Sequence, residues 1–283
     1  MSLARASLNQ YTVKPLSLIE AADACVRHGI PAIGVWRDKI AAIGLDAAKR
    51  ELAARQLRVS SVCRGGFFPG RDAATRRANR EQNLRAIEEA ATLGADVLVL
   101  VCGPTLGTHI EEARAQIAEG IDLLVPHARA AGVKLGIEPL HPMLIAERSA
   151  VTTLAEANDL VARIGAQDVV GVAVDAYHVF WDARLETELD RARGTIFAYH
   201  VGDWVTPHGA PDVSAARALM GEGCIDLASI GGWVTRNGYR GPVEVEVLNT
   251  RLWEGDQEAL LREVVARFEE HVAGTLGAGL TAA

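Results

Sequence analysis

Residues 170–201 read VGVAVDAYHVFWDARLETELDRARGTIFAYHV. Two short runs rich in β-branched residues, Val170 to Asp175 and Ile196 to Val201, flank a longer amphipathic stretch. That is the pattern of a strand, a covering helix and a second parallel strand. The same alternation continues in both directions and yields eight strand candidates. The other six are Ala4 to Asn9, Ala32 to Trp36, Arg58 to Cys63, Asp96 to Cys102, Lys134 to Glu138 and Pro242 to Val247. Between them lie helical patterns, for example Ser17 to Arg27 and Arg77 to Leu93, whose apolar residues recur at spacings of three and four. Gly29, Gly94, Gly132, Gly165 and Gly238 fall where such helices should end in a left-handed cap. Eight parallel strands with their helices close into a barrel more readily than they spread into one open sheet. The expected fold class is therefore α/β, a single (β/α)8 TIM barrel over residues 1–272, with 273–283 as a loose C-terminal tail.

A dinucleotide-binding fold is a weaker reading. No G-x-G-x-x-G follows the first strand, and Gly221-Glu222-Gly223 has no strand directly before it. The 283 residues suit one barrel, and 49% hydrophobic with 23% charged residues is a globular composition. Met1 to Gln10 lacks the apolar run of an export signal, and the strongest apolar run, Val97 to Cys102, is strand-sized, so no membrane span is expected. Cys25, Cys63, Cys102 and Cys224 stand far apart without a C-x-x-C pair, which fits a reducing cytoplasm. A net charge of −7 opposes binding to nucleic acid. A small-molecule substrate is the expectation.

In a barrel the C-terminal ends of the strands point to a shared mouth. Four consecutive candidates carry a titratable group there: Glu138, Asp175, His200 and Glu246. Each ends or interrupts an apolar run, where an uncompensated charge is costly to bury. One shared divalent metal ion would offset that cost. Three carboxylates and an imidazole suit Mn²⁺ or Mg²⁺ and leave room for Co²⁺ or Zn²⁺. Glu244 shares Glu246's side of its strand by period-two logic, so either residue can be the fourth ligand on that ground alone.

These residues sit in a chain that resembles the xylose isomerase-like barrel enzymes, a family that includes ketose 3-epimerases, hydroxypyruvate isomerases, inosose dehydratases and endonuclease IV-type proteins. The resemblance covers nearly the whole chain. It rests on Glu138-Pro139, on D-x-x-H at Asp175 to His178, on H-x-x-D at His200 to Asp203, on G-x-G-x-I-D at Gly221 to Asp226, and on G-Y-x-G-x-x-x-x-E from Gly238 to Glu246. It implies that Glu138, Asp175, His200 and Glu246 are the metal ligands, the spacing from Gly238 favouring Glu246 over Glu244. It further implies that Glu138 and Glu246 are the catalytic acid/base pair. The implied activity is a sugar isomerase or epimerase that moves a proton beside the carbonyl of a small keto-sugar or polyol through an enediolate. Homo-oligomers, dimers or tetramers, are common in the family.

Several further residues are expected to contact substrate. His178 and His141 follow their strands closely, and Arg64 lies just past the third strand beside Gly65 and Gly66. Asp203 and Arg217 belong to the long loop after strand seven. Trp36 and Trp181, with Phe67, Trp204 and Trp253, fall at or beyond strand ends, where aromatic rings can wall a sugar site. His208 in the long loop is expected to be solvated, and His28, His109, His127 and His271 read as surface residues. One departure stands out. Many ketose epimerases of this type carry a second glutamate six residues after the first, and here that position is Leu144. This keeps a second activity open: dehydration or elimination from a keto-sugar or inosose, including the cleavage of C-glycosides, with the same metal and base. An endonuclease IV-type repair site would need more His and Glu ligands and a basic surface, and the sequence shows neither.

Overall fold

The computed structural model describes residues 3–206 and 216–276. The eight candidate runs are the strands of one closed barrel, in the order of the chain. They are β1 (Ala6–Asn9), β2 (Ala32–Trp36), β3 (Arg58–Gly66), β4 (Leu98–Val101), β5 (Leu135–Glu138), β6 (Val170–Asp175), β7 (Ile196–Val201) and β8 (Val243–Val245). All neighbours are parallel, and the pairing of β1 with β8 closes the cylinder.

The covering helices start and stop where local chemistry directs. Ser17 and Thr153 each form a capping box with the glutamate three residues on, opening the helices Leu18–Arg27 and Leu154–Ile164. Gly94 and Gly165 end their helices with φ of 65° and 71°, which side chains other than glycine adopt at a cost.

Side-chain alternation along the strands separates two interiors. Leu98, Leu100, Val172 and Val174 join the large apolar layer between barrel and helices. Val97, Val99, Ala173 and Ala198, of opposite parity, pack with Cys63 in a small separate cluster. That parity is the one shared by Asp175 and His200, so this apolar cluster plugs the barrel beneath the polar strand ends.

Three boundaries differ from expectation. β3 continues to Gly66, so Arg64 lies inside the strand, and the register to β4 shifts between Cys63 and Gly65. Such an irregularity re-aims the side chain at that place. β8 is shorter than the run Pro242 to Val247, yet the Glu246 N–H still reaches the Val201 carbonyl at 2.9 Å. The tail expected from Ala273 begins with a docked 3-10 turn, Ala273–Leu276, whose Leu276 is buried and whose last carbonyl accepts from Arg5. Residues 277–283, like His208, lie outside the described residues. No helix among the described residues is long and apolar enough to cross a membrane, and all four cysteines are free.

Candidate metal centre and active-site pocket

Four neighbouring strands bring Glu138, Asp175, His200 and Glu246 to one point. One ligand atom from each lies within 4.8 Å of the others, and all four residues are buried. The strand register explains the convergence. Asp175 of β6 is paired with His200 of β7, and His200 with Glu244 of β8, which places Glu246 two residues further toward the mouth.

The His200 ring stands between Glu244 and Glu246. Its Nδ1 is 3.2 Å from Glu246 Oε2 and 3.3 Å from Glu138 Oε1, while its Nε2 is 3.9 Å from Glu244 Oε2. None of these approaches has hydrogen-bond geometry: Glu138 Oε1 and both ring nitrogens of His200 are buried without a hydrogen-bond partner among the described residues. Buried polar atoms are normally paired, so orphans clustered at one point mark a missing partner. Oxygen and imidazole donors that converge without bonding one another fit a divalent cation.

The charge balance agrees. Burial pushes the Glu138 carboxyl up to about 7, with Glu246 adding to the effect and His200 opposing it. Burial alone would lower the His200 pKa, but Glu244, Glu138 and Glu246 together drive it well above the ordinary imidazole value. Burial likewise disfavours the Asp175 carboxylate, yet Arg217, His178 and His200 outweigh it and hold the group well below the usual range. The cage draws positive charge to itself.

Arg217 supplies part of that charge. Its Nη1 donates to Asp175 Oδ2 at 2.6 Å and to the Glu246 carbonyl at 3.0 Å, and its Nη2 lies 3.1 Å from His178 Nε2. The His141 backbone N–H meets His178 Nδ1 at 3.3 Å on the other side of the ring. Burial, aided by Arg217, pulls His178 down to about 3 despite Asp175. A neutral imidazole has one lone pair to give, so only one of these two donors can be satisfied at a time.

A cavity of about 510 Å³ opens above the cluster, lined by Glu138, Glu246, His178, Arg217, Trp36 and Arg64 among others. A larger one, about 580 Å³, lies around Gly132, Gly194 and Gly238, at the helix-to-strand end of the barrel. The single metal-capable cluster among the described residues belongs to the first, and chemistry rather than volume selects it.

Not every expected contact residue faces this cavity. Both Asp203 oxygens are taken by backbone N–H groups, Oδ1 by Trp204 and Ile225 and Oδ2 by Gly221 and Gly223, all at 2.8–3.0 Å. Asp203 therefore staples its loop and leaves the substrate-binding set. This also gives a physical basis for the H-x-x-D and G-x-G-x-I-D motifs, since a Cβ on Gly223 would fall 2.5 Å from Asp203 Oδ1, and Asp226 caps the next helix. His141 stacks on Trp204, and Trp181 donates to the His178 carbonyl, so both brace the loops around His178 and neither lines the cavity.

Asn9, at the end of β1, was not among the expected site residues. It donates to Glu244 at 2.7 Å and to Glu246 at 3.2 Å, and accepts from the Trp36 indole. The strand-end rule applied to β1 would have found it. Tyr11, stacked on Trp36 at 3.6 Å, completes that wall. Glu244, the alternative ligand, accepts from Asn9, Ser60 and Ser61.

Over 176 residues the chain is 32% identical to a 3-dehydroshikimate dehydratase of Pseudomonas aeruginosa, a match covering 60% of this chain and 26% of that protein. The chain thus matches about a quarter of the length of that curated relative. Protein SMc04130 from Sinorhizobium meliloti 1021 is 42% identical with a TM-score of 0.91, over 95% of this chain and 98% of that one. The IolI protein solved with a zinc atom is 19% identical with a TM-score of 0.82, over 98% and 100%, a likeness of fold. Residues 22–271 match the family described as xylose isomerase-like TIM barrel, and the chain belongs to that family.

Proposed function

We propose that the chain is a divalent-metal-dependent enzyme that moves a proton beside the carbonyl of a small keto-sugar or polyol, as an isomerase or epimerase. The observation that carries this reading is the meeting of four buried donors from four strands, with Glu138 Oε1 and His200 Nδ1 left unpaired, at the floor of an open cavity. A divalent cation held by Glu138, Asp175, His200 and Glu246 would polarise the substrate carbonyl and stabilise the enediolate. Mn²⁺ or Mg²⁺ suits the donor set best.

The acid/base work falls to Glu138 and Glu246, which line the cavity on different strands. A carboxylate that holds the cation through one oxygen presents the other to a substrate C–H, which suits either glutamate to take and return a proton. Arg217 and His178 reach the same floor. Arg217 anchors Asp175 and Glu246, while His178, with more donors than lone pairs, is suited to turn toward a substrate hydroxyl. Tyr11 and Trp36 present a flat wall to a sugar face.

A second reading is elimination of water after the same proton abstraction. The likeness to a dehydratase supports it, as does Leu144 in place of a further glutamate at the mouth. Incubating the Mn²⁺-loaded protein with a panel of keto-sugars in D₂O tests both. Isomerisation or epimerisation gives a product of unchanged composition with deuterium at the carbon beside the carbonyl, and dehydration gives loss of one water. Full metal occupancy with neither exchange nor mass loss on any probe contradicts the proposal.

A further inference from the structure

We propose that the mouth of this barrel selects an anionic substrate, a small keto compound whose carboxylate or phosphate group is held by Arg64 and Arg148 while its carbonyl end reaches the carboxylate floor. The placement of the carbonyl end rests on the function proposed above, whereas the anion subsite stands on separate residues.

The cavity is electrically divided. Its acidic lining residues are Glu138 and Glu246, both buried in the metal-capable cluster. Lys14, Arg64 and Arg148 line the same cavity. Arg64 and Arg148 are half-buried and Lys14 is exposed, whereas the one deep cation, Arg217, is taken up by Asp175 and Glu246, so the uncompensated positive charge lies toward the entrance.

Of the arginines that line this cavity, Arg217 pairs with Asp175 and Glu246, whereas Arg64 and Arg148 have no counter-ion among the described residues. Arg64 and Arg148 have no carboxylate within 4.0 Å among the described residues. Both are held in place. Arg64 projects from the irregular part of β3, with its guanidinium carbon 4.0 Å from the centre of the Phe67 ring. Arg148 is fixed through its backbone, its N–H bonded to the Leu144 carbonyl at 2.8 Å and its carbonyl to the Gly103 N–H at 3.0 Å.

Two guanidinium groups placed near one another without an anion repel, and partial burial increases the cost. Burial holds the Arg64 pKa below the ordinary value, and Arg148 and Arg37 add to the effect. An oxyanion in the cavity removes that repulsion, and the planar guanidinium fork suits both carboxylate and phosphate. A neutral sugar would leave both cations uncompensated.

The test is calorimetric binding to the Mn²⁺-loaded full chain, with two anionic and two neutral probes. Quinate is compared with myo-inositol, and fructose 6-phosphate with fructose. The expected result is that at least one anionic probe binds about tenfold or more tightly than its neutral counterpart, the responding arm distinguishing carboxylate from phosphate. Arg64→Gln and Arg148→Gln should each remove about tenfold of that anion affinity while Mn²⁺ affinity stays within about twofold. Arg64→Lys and Arg148→Lys, which keep the charge and lose the fork, should fall between, and they serve if the glutamine variants fail to fold. Equal binding of neutral and anionic probes, or unchanged anion affinity in all four variants, overturns the proposal. Anion selectivity in a chain that takes up no Mn²⁺ would leave the subsite standing and remove the metal-dependent function instead.

Discussion

Asp203 and Glu138 are similarly hidden from solvent, at 1% and 4% exposure, and lie just beyond β7 and at the end of β5. Four backbone N–H groups saturate the Asp203 carboxylate. Glu138 Oε1 faces an imidazole nitrogen at 3.3 Å and bonds to nothing among the described residues. Burial of a charge is costly in both places, but in the first the chain itself supplies the compensation and in the second it does not. A buried carboxylate that the fold satisfies belongs to the architecture, and one left unsatisfied beside three other donors is prepared for something that arrives from outside. Glu244 lies between the extremes. Asn9, Ser60 and Ser61 satisfy it, Gly34 leaves the space it occupies, and it is still the carboxylate nearest His200 Nε2.

Substitutions can break this contrast. The largest effect is expected for Glu138→Gln. Turnover of any substrate should fall by about 10³. Mn²⁺ affinity, read by calorimetry, should fall by about 100-fold, while the metal-free chain melts no lower than the parent because a poorly compensated buried charge is gone. A lower melting point with unchanged Mn²⁺ affinity would place Glu138 with the architecture. Asp203→Ala should do the reverse. Leaving the buried N–H groups of Trp204 and Ile225 and the part-buried ones of Gly221 and Gly223 without their acceptor costs about 2–4 kcal/mol, or roughly 5–10 °C in melting temperature for a chain of this size, with Mn²⁺ affinity within a few-fold of the parent.

Glu244→Gln sharpens the comparison at its middle. Loss of the carboxylate beneath His200 should weaken Mn²⁺ binding by about tenfold, as outer-layer partners of metal ligands commonly do, with a change in melting temperature smaller than that of Asp203→Ala. Trp181→Phe removes one half-exposed hydrogen bond to the His178 carbonyl. About 1 kcal/mol, or 2–4 °C, is expected in scanning calorimetry, and metal affinity should not move.

The strands were legible in the sequence because apolar runs of four to six residues alternate with helices that carry their own caps, and β1 to β8 all fall on the expected runs. The end of β3 was not, because Arg64, Gly65 and Gly66 lack the β-branched and aromatic side chains that mark a strand. The convergence of Glu138, Asp175, His200 and Glu246 was legible from their places at the ends of four adjacent strands. Asp203 occupies a similar place, and what distinguishes it are backbone N–H groups up to 22 residues further on, which no local pattern displays. Arg148 was invisible for a related reason, since only the folded chain shows that it shares a cavity with Arg64.

If the donors at the barrel mouth share one cation, anomalous scattering from crystals grown with Mn²⁺ locates it. A single peak bounded by Glu138, Asp175, His200 and Glu246, absent in Glu138→Gln crystals, is the predicted result. A peak at other residues, or none here at saturating Mn²⁺, would contradict it.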